Sequence, residues 1–198
     1  MIDRKLPENL DNPIDNIIIN YGKILYPLYK RLNFTPNTLT TISLLLSLLS
    51  SYCFYKRYYI LSAILYFLSY TYDVFDGNYA RKYNLVTKFG DYYDHLKDLV
   101  CGVLFLFIFY YHNSLSTYLQ LTSFVIILIF FVLSCLHLGF QEIYVTKNDS
   151  KNVSHYLSFL KYIANNKFTH KNINFIKYFS IGSFNLIVSI IILLNILQ

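Results

Sequence analysis

The sequence predicts an all-α integral membrane protein, a bundle of five to six transmembrane helices with an N-terminal interfacial amphipathic helix. The 198 residues are 55% hydrophobic and only 14% charged, whereas a soluble domain carries about 25% charged residues. The mean hydropathy is +0.38. Three charge-free runs are 21 residues or longer, and a helix that crosses the hydrocarbon needs about 20. These observations exclude a soluble globular domain.

The charge-free runs locate the spans. The run over residues 99–141 is 43 residues long and predicts two helices with a break at 111–114. The run over 58–72 has only 15 residues, so we expect its helix to continue through the charged residues that follow. The five predicted spans are residues 38–55, 58–80, 90–111, 116–140 and 177–197.

The N-terminal residues have a different pattern. Apolar and basic residues are mixed over 17–32, which predicts a helix that lies on the membrane surface. Thr35 and Pro36 then predict the N-cap and the first residue of the first spanning helix. We therefore expect a cytoplasmic N-terminal segment, 1–34, followed by a transmembrane domain, 35–198.

The basic residues predict the orientation. With the N-terminus in the cytoplasm, 14 of the 17 Lys and Arg residues fall in cytoplasmic segments, as the positive-inside rule requires. The net charge of +6 is then explained by the membrane surface, and we expect no nucleic-acid partner. Apolar residues recur at helical spacing over 153–164, which predicts either an interfacial helix or a weak sixth span within 145–175.

Acidic residues concentrate where the second and third predicted spans meet the cytoplasm. Five of the eleven lie within 26 positions, namely Asp73, Asp76, Asp91, Asp94 and Asp98. A carboxylate buried in a membrane helix costs about 2.5–3.5 kcal/mol, and neighbouring carboxylates repel one another. Four nearby basic residues could offset part of this charge, namely Arg81, Lys82, Lys88 and Lys97. Divalent cations would neutralise it better.

The helical spacing of these residues predicts one shared site. The set comprises Asp73, Asp76, Gly77 and Ala80 on one helix, and Asp94 and Asp98 on the next. Carboxylates without cysteine or clustered histidine favour Mg²⁺, Mn²⁺ or Ca²⁺ over zinc. Gly77 and Ala80 leave room for a ligand beside the helix backbone, and Arg81 offers a fork suited to a diphosphate. Asp91 alone is better read as a solvated charge. The pattern predicts metal-assisted phosphoryl chemistry.

The order of these residues resembles a known family motif. Residues 73–98 read Asp73-Val-Phe-Asp76-Gly77-Asn-Tyr-Ala80-Arg81, eight residues, Gly90, three residues, Asp94, three residues, Asp98. This is similar to the motif D-x2-D-G-x2-A-R-x8-G-x3-D-x3-D of the class I CDP-alcohol phosphatidyltransferase family, with every fixed position matched. The run Pro36-Asn37-Thr38-Leu39-Thr40 also resembles the family's P-N-x-L-T element. The resemblance covers the first half of the chain.

The resemblance implies an enzyme of phospholipid synthesis that uses two Mg²⁺ or Mn²⁺ ions. Such a transferase moves a substituted phosphate group from a CDP-activated donor to an alcohol and releases CMP. The implied metal ligands are Asp73, Asp76, Asp94 and Asp98, of which Asp98 also takes the proton from the attacking hydroxyl. The implied CDP-binding residues are Asn37, Thr40, Gly77, Ala80, Arg81 and Thr87. The family also implies a homodimer and a core of six spans, of which five are predicted here.

The substrates stay open at this point. The donor is CDP-diacylglycerol or a CDP-alcohol, and the acceptor is a small alcohol or diacylglycerol. Asp91 and His95 resemble the choline and ethanolamine branch of the family, whereas the short chain is more typical of phosphatidylinositol synthases. Two other function classes are an ion or proton carrier and a catalytically silent scaffold with the family fold. A carrier predicts carboxylates spread across the bilayer, and a silent scaffold does not require all four motif aspartates.

Overall fold

The structure is a computed structural model, and it describes residues 4–148, 159–164 and 170–197. These residues form eight α-helices: α1 Pro13–Arg31, α2 Pro36–Tyr55, α3 Tyr59–Lys82, α4 Lys88–His112, α5 Thr117–Asn148, α6 Leu160–Ala164, α7 His170–Ile176 and α8 Ile181–Leu194. Four helical stretches in this part of the chain are long and apolar enough to cross a membrane: Pro36–Tyr55, Lys88–His112, Thr117–Lys147 and Asn172–Leu197. The chain is therefore a multi-pass integral membrane protein.

The third helix has the length of a span but is not one of these four stretches, and its last ten residues include four charged ones. As expected from the short charge-free run, α3 continues without a break through the aspartates to Lys82. The predicted break within 99–141 is also confirmed, because α4 ends at His112 and α5 begins at Thr117. At that break Ser114 donates its hydroxyl to the carbonyl of Asn195, at 2.8 Å. The loop is thus fastened to the end of the last helix.

Two of the five predicted spans differ from their predicted bounds by more than two residues. The structure extends α5 to Asn148, beyond the predicted end at 140, because Glu142 is buried there and pairs with Lys5 at 3.1 Å. The predicted helix over 177–197 is interrupted before Ser180 by a short 3₁₀ turn. The interruption frees backbone carbonyls from hydrogen bonds within the helix. The Ser134 hydroxyl donates to one of them, the carbonyl of Phe179, at 3.0 Å.

The predicted interfacial helix or sixth span falls largely outside the described residues. Of residues 145–175, the structure describes the end of α5, the short helix α6 and the beginning of α7. Leu160 and Ala164 of α6 are buried and approach α5 at Gly139. A Cβ at that glycine would lie 2.6 Å from the Leu160 carbonyl oxygen, so the two backbones are in direct contact.

Serine pairs fix the register between α2 and α3. Ser43 and Ser69 each donate a hydroxyl to the other's carbonyl, both at 2.9 Å. Ser50 and Ser62 do the same at 2.8 and 3.0 Å, almost two turns further along. Small hydroxyl residues allow helices to approach closely in a membrane and to bond across the contact. The two pairs align the helices antiparallel, so that the beginning of α2 lies beside the aspartates of α3.

The N-terminal helix has two apolar sides. Its buried side packs on α3, where Tyr26 contacts Phe75 and Tyr79 with ring centroids 5.8 and 5.7 Å apart. The exposed side carries apolar residues three or four positions apart, namely Ile17, Tyr21, Ile24, Leu28 and Leu32. This spacing is that of one helix face. The predicted interfacial helix is therefore also docked on the bundle.

Polar contacts hold the N-terminal residues against α3 and α8. Asn12 caps α1 and donates its side-chain amide to Ser183 at 2.9 Å. Tyr70 donates its hydroxyl to the Asp15 carboxylate. Burial, reinforced by the nearby Asp11 charge, raises the pKa of Asp15 to about 7. The 1–34 boundary stays a prediction, but these residues pack on the helices that follow them.

We expect Gly139→Ala to destabilise the protein. The added methyl group would meet the Leu160 carbonyl 2.6 Å away, and overpacking of this kind costs about 1–3 kcal/mol. The measurement is thermal unfolding of the detergent-solubilised protein. Gly102→Ala is the matched control, because a Cβ there meets no described atom within 4 Å beyond its own helix. Equal unfolding temperatures for the two variants would contradict the close contact of α5 with α6.

Candidate active site

The motif residues meet where α3 ends and where α2 and α4 begin. The serine register brings Thr40 of α2 against α3, and its hydroxyl donates to Oδ2 of Asp76 at 2.6 Å. Thr40 is 2% exposed and Asp76 is 5% exposed. The resemblance implied that Thr40 lines the nucleotide site, and this stays a prediction. In the structure its hydroxyl orients one of the carboxylates.

Two groups of side chains in the described residues could hold a metal ion. One comprises Asp73, Asp76 and Asp94, and the other comprises Asp94, His95 and Asp98. In each group the candidate ligand atoms lie within 4.8 Å of one another. The groups share Asp94, so a single carboxylate belongs to both. The four aspartates of the motif therefore fall into two overlapping groups, with Asp73 and Asp76 from α3 and Asp94 and Asp98 from α4.

The chemistry of this donor set fits a hard divalent cation. The ligand atoms are carboxylate oxygens with one adjacent imidazole, and oxygen donors suit Mg²⁺ and Mn²⁺. Oδ1 of Asp94 is buried, accepts no hydrogen bond from the described residues, and has the Lys97 ammonium 3.3 Å away as an ion-pair partner. Hydrogen-bonding capacity left unused at a buried oxygen is costly, and a bound cation would satisfy it.

The four carboxylates differ in exposure. The side chain of Asp98 is 52% exposed, compared with 21% for Asp73 and 26% for Asp94. Asp98 is therefore the carboxylate that a substrate hydroxyl can reach most easily. The fifth acidic residue, Asp91, pairs with His95 one turn along α4, at 3.3 Å. It does not join the two groups above.

A buried lysine stands among the carboxylates. The Lys97 ammonium pairs with Asp73, lies 2.8 Å from Asp98 and 3.3 Å from Asp94, and its side chain is 3% exposed. It also donates to the Ser43 hydroxyl at 3.3 Å. In the sequence Lys97 is one of four basic residues near the aspartates. Its position three residues after Asp94 and one before Asp98 was the available signal.

The predicted nucleotide-binding residues of α3 form one surface. The Arg81 guanidinium lies along Gly77, where an added Cβ would be 3.3 Å from Nη1. Ala80 is buried on the same side of the helix. Because Gly77 has no side chain, the Arg81 guanidinium can lie against the helix at this position.

The remaining predicted residues meet at the beginning of α4. Thr87 caps this helix by accepting the Gly90 N–H at 3.0 Å. A Cβ at Gly90 would lie 3.1 Å from both Asn37 Oδ1 and the Thr87 hydroxyl. Asn37 and Thr87 are therefore neighbours across the α2–α4 contact, and Gly90 allows that approach.

Comparison with known proteins agrees with this arrangement. The family model of CDP-alcohol phosphatidyltransferases matches residues 33–196. Archaetidylinositol phosphate synthase of Pyrococcus horikoshii is 35% identical over 103 residues, which is 52% of this chain and 50% of that protein. The chain thus spans about half the length of this curated relative. No solved structure matches the chain. Because the family match covers most of its length and includes the aspartate site, the chain belongs to the CDP-alcohol phosphatidyltransferase family.

Proposed function

We propose that the protein is a phospholipid-synthesising transferase. It moves a phosphatidyl or phosphoalcohol group from a CDP-activated donor to an alcohol and releases CMP. Two Mg²⁺ or Mn²⁺ ions would be held by the four motif aspartates, Asp73, Asp76, Asp94 and Asp98. The observation that carries the proposal is the convergence of these aspartates into two overlapping groups with ligand atoms within 4.8 Å, in a chain of this family.

Each residue of the site has a separate role in the proposed reaction. Bound metal ions would offset the negative charge that develops on the phosphate oxygens and on the leaving CMP. Asp98 accepts the proton of the acceptor hydroxyl as its oxygen bonds to phosphorus and the bond to CMP breaks. Its exposure supports this role. Thr40 keeps the Asp76 carboxylate oriented through their 2.6 Å hydrogen bond.

The donor is held on the other side of the metal site. Arg81 contacts the diphosphate, and Gly77 and Ala80 allow the donor to approach the α3 backbone. Asn37 and Thr87 lie beside the nucleotide at the α2–α4 contact. Their proximity at Gly90 supports a shared role in that contact.

The relative favours one of the two acceptor classes that the sequence left open. It is named as an archaetidylinositol phosphate synthase, so we propose a CDP-linked lipid such as CDP-diacylglycerol as donor and an inositol phosphate or related small polyol as acceptor. The apolar side chains that follow Asp98 on α4, including Leu99 and Val103, are exposed. They suit a donor whose tails remain in hydrocarbon while its headgroup reaches the carboxylates.

We also propose that the N-terminus and the site face the cytoplasm and that the protein is a homodimer. The orientation follows from the basic residues. A carrier function has less support, because the four motif carboxylates cluster at one end of α3 and α4 instead of lining the depth of the bundle.

The proposed reaction is tested with the purified protein in lipid vesicles. CDP-diacylglycerol and CDP-choline are each incubated with a panel of alcohols that includes inositol phosphate and diacylglycerol, and CMP and the lipid product are measured. We expect CMP release with CDP-diacylglycerol, its loss in EDTA and its recovery with Mg²⁺ or Mn²⁺. If folded protein releases no CMP with any pair, the silent-scaffold alternative replaces this proposal.

Changing the proposed base removes one oxygen that can accept a proton. We expect Asp98→Asn to lower kcat by about 10²–10⁴-fold, the usual contribution of general base catalysis, or by more if a metal ligand is also lost. Asp91→Asn is the matched control, because Asp91 is on the same helix and belongs to neither group of candidate ligands, although it pairs with His95 of the second group. Similar turnover in the two variants would contradict the role of Asp98.

Removing the guanidinium tests the diphosphate contact. A hydrogen bond to a charged group is worth about 1.5–3 kcal/mol, so we expect Arg81→Ala to raise the donor KM by about 10- to 100-fold. Gly77→Ala should raise it less, because the new methyl group displaces the guanidinium only slightly. The control is Lys82→Ala, whose ammonium lies 5.4 Å from the Tyr26 ring. A donor KM that Arg81→Ala leaves unchanged would argue against the contact.

A further inference from the structure

The position of Lys97 raises a question about how the site accepts metal. Its ammonium contacts Oδ1 of Asp73, Oδ1 of Asp98 at 2.8 Å and Oδ1 of Asp94 at 3.3 Å. These are three of the four proposed metal ligands. The fourth, Asp76, is held separately by the Thr40 hydroxyl. Lys97 therefore lies at the centre of the charge that a cation would have to neutralise.

The ammonium and a divalent cation would compete for the same oxygens. A positive charge beside a divalent cation at distances near 4 Å is strongly unfavourable in a buried site. The lysine stem is flexible and carries a compact charge, so the ammonium can withdraw without movement of the helix. Ser43, whose hydroxyl lies 3.3 Å from Nζ, offers a polar partner on the α2 side.

We propose that Lys97 is a tethered counterion of the aspartate site, which holds the carboxylates together without metal and must withdraw from them when divalent cations bind. Lys97 is thus a positioning residue that sets the metal affinity of the enzyme. This proposal rests on the proposed function, because it takes the four aspartates as the metal ligands. It goes beyond it by assigning to this chain an internal competitor for the metal.

The test is Mn²⁺ binding to the metal-free, detergent-solubilised protein, followed by the electron paramagnetic resonance signal of free Mn²⁺. Removing the competing charge in Lys97→Met should lower the Kd at least about tenfold. Lys97→Arg keeps the charge and should show no such tightening. Lys88→Met is the matched control, since it removes one exposed charge from the same helix and should change the Kd by less than about twofold.

Thermal unfolding provides a second readout. Without metal, Lys97→Met should unfold at a lower temperature than the wild-type protein, because the carboxylates lose their counterion. Saturating Mn²⁺ should then raise its unfolding temperature by more than that of the wild-type protein. A folded Lys97→Met variant that binds Mn²⁺ as weakly as the wild type, or more weakly, would overturn the proposal.

A measurement on the wild-type chain does not depend on the folding of Lys97→Met. With ¹⁵N-labelled lysine, addition of Mg²⁺ should shift one side-chain nitrogen resonance that is absent from Lys97→Arg. An unchanged resonance at saturating Mg²⁺ would show that the ammonium stays in place and would overturn the proposal. If the wild-type protein binds neither ion, the metal site itself fails and the proposed function fails with it. If it binds them and only the Lys97 effects are missing, the proposed function stands.

Discussion

Negative charge concentrated at one end of two neighbouring helices is the constraint on which this structure depends. The carboxylates at the end of α3 and the beginning of α4 are held within a few ångströms of one another, where neighbouring negative charges repel one another and burial removes stabilising water. Lys97 supplies the neutralising charge inside the protein and contacts three of them. The remaining charge, the buried Asp94 oxygen and the accessible Asp98 side chain are features expected of a cation site in contact with substrate.

The register between neighbouring helices determines which side chains lie around the carboxylates. The two serine pairs between α2 and α3 leave little freedom to slide, because each hydroxyl bonds to a carbonyl of the other helix. The same alignment places the Thr40 hydroxyl within hydrogen-bond distance of the Asp76 carboxylate. At the beginning of α4, the Thr87 cap and Gly90 allow close contact with Asn37. Hydrogen bonds between neutral groups of neighbouring helices therefore determine which groups surround the carboxylates.

The N-terminal residues complete the polar end of the bundle. They are fastened to α5 by Lys5 and Glu142 and to α3 by Tyr70 and Asp15, while the exposed apolar side of α1 faces away from these contacts. This arrangement places α1, the helix predicted to lie on the membrane surface, against α3 beside the aspartate site. A donor with lipid tails and a water-soluble acceptor could both reach such a site, which agrees with membership of the CDP-alcohol phosphatidyltransferase family.

The sequence by itself determined the membrane class, the course of α3 through its charged residues and the motif aspartates, because hydropathy, helix length and i, i+3 or i, i+4 spacing are local properties. It did not determine the roles of Lys97 and Thr40, since each depends on a partner contributed by another helix. The interruption before Ser180 and the extension of α5 likewise depend on tertiary contacts. Ser134 donates to the Phe179 carbonyl at the interruption, and Lys5 pairs with Glu142 in the extension. The local sequence pattern does not distinguish Phe179 and Glu142 from ordinary helix positions. Side-chain pairing across helices depends on packing geometry, and the order of residues along one helix carries no direct record of that geometry.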